Sequence, residues 1–312
     1  MSRALLITGA TGKQGGAVVD ALLARRSPDF KILAVTRNAR SASAQRLAAK
    51  SSLIKLIEGN LNAVPSLFKA ARETAGPLPI WGVYSVQVAM GKGATAESEI
   101  RQGKALIDES IQAGAKHFVY SSVERGGDAR SWNNPTAVPH FQTKHQIEQY
   151  LRDMTNDDRK GSTMGWTILR PAIFMDSLQP GFVGKLFLTM LRDTIENKPL
   201  QWVATSDIGF FAAQAFTNPE AWNRKAVGLA GDELTLEELN KTFEKVTGRS
   251  AATTFSLLGK ALKYGVPEIG NMVKWFKDEG YKADIAELKK THPHIMSMEE
   301  WLRKSKFVAN TY

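Results

Sequence analysis

The chain of 312 residues contains no cysteine, and this absence excludes disulfide bonds, zinc sites with thiolate ligands and thiol catalysis. His292 and His294 have no cluster of acidic residues beside them, so no metal site is expected. No run reaches the roughly 18 consecutive apolar residues of a membrane span, and no leader of the signal-peptide type begins the sequence. We therefore expect a protein without membrane association, located in the cytoplasm, with the nucleus as an alternative compartment.

Acidic residues are scarce at the start of the chain. Residues 1–57 hold ten Lys and Arg but only two acids, Asp20 and Asp29, so most of the formal net charge of +10 lies in this segment. A basic protein can bind nucleic acid, but the chain has no zinc-finger spacing, basic zipper or RNA-binding signature. We expect the excess positive charge to serve a phosphate site, without direct contact with nucleic acid.

A glycine-spaced turn near the start of the chain indicates which kind of phosphate-containing ligand is bound. The apolar run of residues 3–8 leads into Gly9, Gly12 and Gly15, and a helical stripe of apolar residues follows. Glycine permits a tight turn at the first position, close approach of backbone N–H groups to a pyrophosphate at the second, and close packing of the helix on the sheet at the third. The helix N-terminus then faces the phosphate charge. The pattern predicts a dinucleotide site that includes Gly9, Thr11, Gly12, Lys13, Gln14 and Gly15.

The residues after the second predicted strand, 31–35, select between the two nicotinamide coenzymes. An acidic residue at this position binds the 2′-hydroxyl of NAD(H), whereas a basic residue accommodates the 2′-phosphate of NADP(H). The chain has Thr36-Arg37-Asn38-Ala39-Arg40 there, with no carboxylate. Arg37 and Arg40 offer planar donors that suit phosphate oxygens, so NADP(H) is the predicted cofactor.

Apolar runs alternate with helix-length segments as far as residue 170. The runs lie at 53–57, 80–86, 117–122 and 166–169, with helical patterns at 64–74, 97–113 and 141–154. This alternation predicts an α/β fold with a Rossmann-type doubly wound parallel sheet. The remainder is mainly helical in pattern, at 182–196, 207–216, 235–246, 257–264, 269–279, 285–290 and 299–304. We predict an NADP(H)-binding domain over 1–170, rejoined by part of 198–230, and a smaller substrate or effector lobe from 171–197 and 231–312.

Several segments, taken in order, resemble the NmrA-like family, atypical relatives of the short-chain dehydrogenases/reductases, over nearly the whole chain. They are TGATGKQGG at 8–16, TRN at 36–38, VYSSVE at 119–124, PHFQTK at 139–144 and LRPAIFM at 169–175. A further match is Glu58-Gly59-Asn60-Leu61-Asn62, where relatives usually carry aspartate in place of Asn60. Because an amide can still hydrogen-bond adenine, the resemblance implies cofactor contacts at Asn60 and Leu61.

The resemblance also implies a catalytic position, and there this chain departs from the reductases. Catalytic short-chain dehydrogenases carry a Tyr-x-x-x-Lys pair, in which the lysine lowers the phenol pKa and holds the nicotinamide ribose, while a serine orients the carbonyl. The matching residues here are His140 and Lys144, so the phenol is missing. Lys144 keeps the ribose role, and Ser122 or Ser121 stands near the nicotinamide. Further contacts with the nicotinamide are predicted at Gln87 and at Phe174 with Met175.

Two functions of different classes remain open. The first, which the missing phenol slightly favours, is an NADP(H)-binding regulator whose lobe responds to the cofactor and binds a protein partner. The second is an NADPH-dependent reductase of a quinone, an enone or a similar electron-poor small substrate, with the proton supplied by water or by His140. Tyr120 is the second candidate donor. His140 has an alternative role as a side chain that caps or hydrogen-bonds backbone.

Overall fold

The computed structural model describes residues 3–25, 29–88, 91, 93–156, 163–256 and 267–309. Its strands are β1 (Arg3–Ile7), β2 (Phe30–Thr36), β3 (Ile54–Glu58), β4 (Ile80–Ser85), β5 (His117–Ser121), β6 (Gly165–Pro171), β7 (Ile173–Phe174), β8 (Leu200–Val203), β9 (Lys225–Leu229) and β10 (Asp232–Leu234). They form a seven-stranded sheet of order β3-β2-β1-β4-β5-β6-β9 and a three-stranded sheet of order β10-β8-β7. The five pairings from β3 to β6 are all parallel, which confirms the predicted α/β fold with a Rossmann-type sheet.

The helices of ten residues or more follow the predicted pattern, whereas four short helices, at 42–48, 128–131, 219–222 and 306–309, have no counterpart in it. They are α1 (Lys13–Leu23), α2 (Ala42–Ala48), α3 (Val64–Ala75), α4 (Ala96–Gln112), α5 (Asp128–Ser131), α6 (Pro139–Asn156), α7 (Phe182–Ile195), α8 (Thr205–Thr217), α9 (Pro219–Trp222), α10 (Leu236–Thr247), α11 (Pro267–Asp278), α12 (Ile285–Thr291), α13 (Met298–Lys304) and α14 (Lys306–Ala309). The helix predicted at 257–264 lies outside the described residues. The strands β7 to β10 have no counterpart in the sequence analysis. Three of them have only two to four residues, and β9 contains a glycine and buries only its last two residues, so none carries a clear strand pattern.

The centre of the large sheet explains the apolar run at the start of the chain. β1 lies between β2 and β4 in the parallel part of the sheet, and residues 4–7 are all buried, so side chains on both of its faces are covered and the run needs no alternation with polar residues. Helix α1 buries Val18, Val19 and Leu22. The strand order reverses direction between β1 and β4, and ligands of open α/β sheets bind in the crevice at such a reversal.

The chain divides into two compact units. The first comprises Met1–Ser122, Thr143–Leu169 and Ile208–Ala226, and the second comprises Val123–Gln142, Arg170–Asp207 and Val227–Tyr312. The second unit has its own hydrophobic core, in which Phe141, Trp275 and Tyr281 pack with their rings at an angle to one another.

A buried histidine in the first unit makes its stability dependent on pH. His117 stacks on Trp81, meets Phe216 edge-on and places Nε2 2.9 Å from Oγ1 of Thr167. Burial lowers the pKa of His117 from 6.5 to about 4. Between these values the unfolded chain binds more protons, so the free energy of unfolding should fall by about 3 kcal/mol from pH 7 to pH 4 on this account. His117→Gln should lose that contribution in urea unfolding at the two pH values, and an unchanged pH dependence would contradict the assignment.

Candidate cofactor site

The glycine-spaced turn joins β1 to α1 at the reversal of strand order. Gly9 has φ +61°, a left-handed conformation that favours glycine. A Cβ atom on Gly15 would lie 2.4 Å from both the carbonyl carbon and the carbonyl oxygen of Gly9, so the helix packs against the turn backbone to backbone. Gly12 occupies the N-cap of α1 and has no side chain to cap the first-turn N–H groups. These N–H groups and the helix dipole together suit a phosphate.

Two side chains of this turn are exposed to solvent, and the amide of a third, Gln14, is hydrogen-bonded to neighbouring strands. Thr11 and Lys13 are exposed. The Oε1 atom of Gln14 accepts a hydrogen bond of 2.6 Å from the hydroxyl of Ser121 and one of 3.4 Å from the hydroxyl of Tyr84. Gln14 is therefore held against the ends of β5 and β4, which fixes the direction of its amide nitrogen.

The loop after β2 is held by a hydrogen bond within the loop and by one from helix α2. The N–H of Arg40 donates to Oδ1 of Asn38 at 2.8 Å, and Nε2 of Gln45 donates to the carbonyl of Ala39 at 2.7 Å. Arg37 and Arg40 are exposed, and within the described ranges neither guanidinium pairs with a carboxylate. Their charges are thus available to an anionic ligand.

Glu58 contacts this loop from β3, and the sequence analysis did not assign it a role. It ends β3, and its Oε2 accepts a hydrogen bond of 2.8 Å from the N–H of Ala39. The parallel register sets Glu58 opposite Thr36, the last residue of β2. The rule that assigns the ribose contact considers only residues that follow β2 in sequence, and a carboxylate on the neighbouring strand escapes it.

Asn60 and Leu61 lie just after β3. Asn60 is exposed, and its Oδ1 accepts a hydrogen bond of 2.9 Å from the N–H of Asn62, which caps the short 3-10 helix Leu61–Ala63. Its amide nitrogen makes no hydrogen bond with any described residue. An amide donor is therefore available for a ring nitrogen of adenine, although the expected aspartate is replaced.

Gln87 provides the clearest sign that the crevice fits a polar ligand. Its side chain is buried after the end of β4, and Nε2 donates to the hydroxyl of Ser85 at 2.8 Å. Its Oε1 is buried and has no hydrogen-bond partner among the residues described. A buried acceptor without a partner costs about 1–3 kcal/mol, and the hydroxyl and carboxamide donors of a nicotinamide dinucleotide would satisfy it. The residues present therefore fit the predicted cofactor.

Lys144 is buried in an ion pair with a residue that the sequence did not point to. Its Nζ lies 2.8 Å from Oε1 of Glu99, and Oγ1 of Thr143 donates to Oε2 of the same carboxylate at 2.5 Å. Glu99 is 1% exposed and lies in the first turn of α4, where the helix N-terminus stabilises negative charge. An ammonium has three donors, and Glu99 occupies one of them. The others are available for the ribose hydroxyls.

The serine predicted near the nicotinamide also has an acidic partner. The hydroxyl of Ser122 donates a short hydrogen bond to Oε1 of Glu148, a fully buried carboxylate of α6. Tyr120 is fully buried in β5. Both hydroxyls of the serine pair, at 121 and 122, are thus engaged as donors to other side chains, Gln14 and Glu148 respectively.

His140 belongs to the second unit and is bonded there to helix α11. Its backbone N–H donates to Oε1 of Glu268 at 2.9 Å, and its ring Nδ1 bonds to the same oxygen. Glu268 lies in the first turn of α11. Phe174 is half-buried in β7, and Met175 is fully buried in the core of the second unit. The proposed catalytic role of His140 and the nicotinamide contact of Phe174 stay predictions.

The described residues show neither a metal-binding cluster nor a helix that could cross a membrane. They contain no group of three or more His, Cys, Asp or Glu side chains that suits a metal ion. His292 instead places Nε2 3.3 Å from Oδ1 of Asp207, whose pKa is raised by burial. None of the helices in the described ranges combines the length and the apolar character that crossing a membrane requires.

Comparison with known sequences identifies one family. The sequence profile of the NmrA-like family matches residues 1–302. Among curated proteins, an NmrA-like family domain-containing oxidoreductase of Aspergillus hancockii is 27% identical over 264 residues, which covers 80% of this chain and 74% of the relative.

Comparison with solved structures shows the same fold. NmrA, a negative transcriptional regulator crystallised in complex with NADP, has a TM-score of 0.70 at 19% identity and covers 100% of this chain and 99% of its own. The NADPH-dependent quinone oxidoreductase of Escherichia coli, in complex with NADPH, has a TM-score of 0.67 at 20% identity and covers 96% of this chain and 99% of its own. At these identities the likeness establishes the fold alone.

Proposed function

Because this chain belongs to the NmrA-like family, we propose that its first unit binds NADP(H). The turn from Gly9 to Gly15 holds the pyrophosphate, Arg37 and Arg40 hold the 2′-phosphate, and Lys144 holds the nicotinamide ribose. The observation that carries the proposal is the buried Oε1 of Gln87, which lacks a partner among the described residues and lies after the strand next to β1. The NADP and NADPH complexes of the two structural neighbours support it.

The preference for the phosphorylated coenzyme gives the first test. Arg37→Gln with Arg40→Gln should weaken NADP⁺ binding by about tenfold to a hundredfold, because both guanidiniums are exposed and solvent screening reduces each hydrogen bond to the phosphate to about 1 kcal/mol. Binding of NAD⁺ should change by less than about threefold on the same argument, because it lacks the 2′-phosphate. Calorimetric titration with both coenzymes measures this. Arg46→Gln, an exposed arginine of α2, is the matched control and should bind as the wild type does.

The activity that we propose is NADPH-dependent reduction of a small electron-poor substrate such as a quinone or an enone. Bound NADPH supplies the hydride. The hydroxyls of Ser121 and Ser122 already donate to other side chains, which suits a substrate whose reduction needs no strong side-chain acid, with the proton coming from water or from His140. The curated relative named as an oxidoreductase and the neighbour named as a quinone oxidoreductase support this choice.

A second candidate function is regulation without turnover. The reductase phenol is replaced by His140, and this histidine is bonded to Glu268 within the second unit. In this proposal the redox state of the cofactor alters the affinity of the second unit for a protein partner, and the likeness to NmrA, named as a transcriptional regulator, supports it. Loss of NADPH absorbance across a panel of quinones and enals would establish the reductase. Flat traces from a chain that binds NADPH tightly would favour the regulator.

A further inference from the structure

A carboxylate lies beside the two arginines that the proposed function assigns to the 2′-phosphate. Glu58 contacts the loop in its middle, at the N–H of Ala39, with Arg37 and Arg40 on either side in sequence. The parallel pairing of β2 with β3 brings the end of β3 to this place. The loop that meets the adenosine ribose therefore carries both signs of charge.

The two oxygens of this carboxylate have different surroundings. Oε2 of Glu58 accepts from the loop, whereas Oε1 has no hydrogen-bond partner in the described part of the chain, and no Lys or Arg there pairs with Glu58. A free carboxylate oxygen accepts a hydrogen bond from a ribose 2′-hydroxyl, as the acid of an NAD(H) site does. The same charge repels a 2′-phosphate, which has no proton to donate once it is fully ionised.

We propose that Glu58 is a coenzyme-selecting residue that lowers the preference for NADP(H) and gives the site affinity for NAD(H) as well. The inference rests on the proposed function, because it requires that the loop 36–40 meets the adenosine ribose. Arg37 and Arg40 attract the 2′-phosphate and Glu58 opposes them, so the preference is the difference between the two effects. Glu58 is exposed and screened by solvent, and its effect is therefore about threefold to tenfold in affinity.

Glutamine is the substitution that separates charge from loop geometry. The loop is held at both sides of Ala39, by Glu58 at its N–H and by Gln45 at its carbonyl. The amide oxygen of glutamine can still accept from the N–H of Ala39, so Glu58→Gln keeps the loop bond and removes only the negative charge. Glu73→Gln is the matched control, because Glu73 is an exposed carboxylate of α3 and its loss changes the net charge equally.

The experiment is calorimetric titration of the full chain, as wild type, Glu58→Gln and Glu73→Gln, with NADP⁺, NAD⁺, 2′,5′-ADP and 5′-AMP. The two fragments lack the nicotinamide and report on the ribose loop alone. Glu58→Gln should bind NADP⁺ and 2′,5′-ADP about threefold to tenfold more tightly than the wild type. It should bind NAD⁺ and 5′-AMP more weakly, because the ribose 2′-hydroxyl loses a charged acceptor. The gain should shrink as the salt concentration rises, and Glu73→Gln should match the wild type.

Four results would overturn the inference. If Glu58→Gln changes the affinity for both coenzymes by the same factor, or leaves both affinities unchanged, Glu58 only holds the loop. If the wild type has no measurable affinity for NAD⁺, the site is not shared between the coenzymes. If the wild type binds neither coenzyme, the proposed function fails and the inference with it, whereas NADP⁺ binding that depends on Arg37 and Arg40 but not on Glu58 overturns the inference alone.

Discussion

Lys144→Met should lower the free energy of unfolding by about 3–5 kcal/mol, because it leaves the buried carboxylate of Glu99 without its cation. The ammonium lies 2.8 Å from Oε1 of Glu99. After the substitution, Thr143 and the N-terminus of α4 are the remaining described groups that stabilise this charge. Neither replaces a full positive charge in a site that water scarcely reaches. Urea unfolding followed by circular dichroism measures the loss.

Removing both charges should restore most of that stability. In the double variant Glu99→Gln with Lys144→Met, the glutamine still accepts from the hydroxyl of Thr143, and no buried charge remains. Lys69→Met, at an exposed lysine of α3, is the control and should change stability by no more than about 0.5 kcal/mol. A Lys144→Met variant as stable as the wild type would show that the pair is well solvated.

The double variant also decides how a loss of function at Lys144 is to be interpreted. A single substitution weakens the fold and removes a ribose contact at once, so reduced coenzyme binding has two explanations. If the stable double variant still binds NADP⁺ more weakly than the wild type, the ribose contact is the cause. If it binds as tightly as the wild type, the single variant loses binding through unfolding, and Lys144 has only a structural role.

The elements around the cofactor turn were predictable because their signals are local. The strand Arg3–Ile7, the glycines and the apolar face of α1 fall within about twenty residues, and periodicity with turn chemistry is sufficient to identify them. The alternation of later strands and helices is equally local. The fold class therefore follows from the sequence, even though the short strands of the second sheet do not.

The contacts of the acidic residues in the site could not be predicted from local sequence patterns. Glu58, Glu99 and Glu148 meet their partners across 19, 45 and 26 residues of sequence respectively. Strand register and helix packing create these contacts, and no spacing rule along a single element reports them. The partner of His140 was not predictable either. His140 aligns with a catalytic position of the related reductases, but it is bonded to Glu268, which lies 128 residues away in sequence.

A substitution in the glycine-spaced turn should also have a large effect on coenzyme binding. Gly15→Ala should weaken NADP⁺ binding by more than about a hundredfold, because the added Cβ would lie 2.4 Å from the carbonyl group of Gly9 and 2.6 Å from the carbonyl oxygen of Thr8. These are backbone atoms, which no rotamer change can move aside. Helix α1 must shift away from the turn, and its first N–H groups then leave the position of the pyrophosphate. Overpacking of this kind also costs about 1–3 kcal/mol of stability.

Gly16→Ala is the matched control for this substitution. It adds the same methyl group one residue later in α1, where the new Cβ would lie 3.4 Å from the carbonyl oxygen of Ala10, at the edge of ordinary contact. Alanine also favours the helix over glycine, so this variant should be as stable as the wild type and bind NADP⁺ equally well. Circular dichroism establishes that each variant is folded before calorimetric titration. If folded Gly15→Ala binds NADP⁺ within about threefold of the wild type, the turn does not hold the pyrophosphate, since a displaced helix N-terminus cannot keep those contacts.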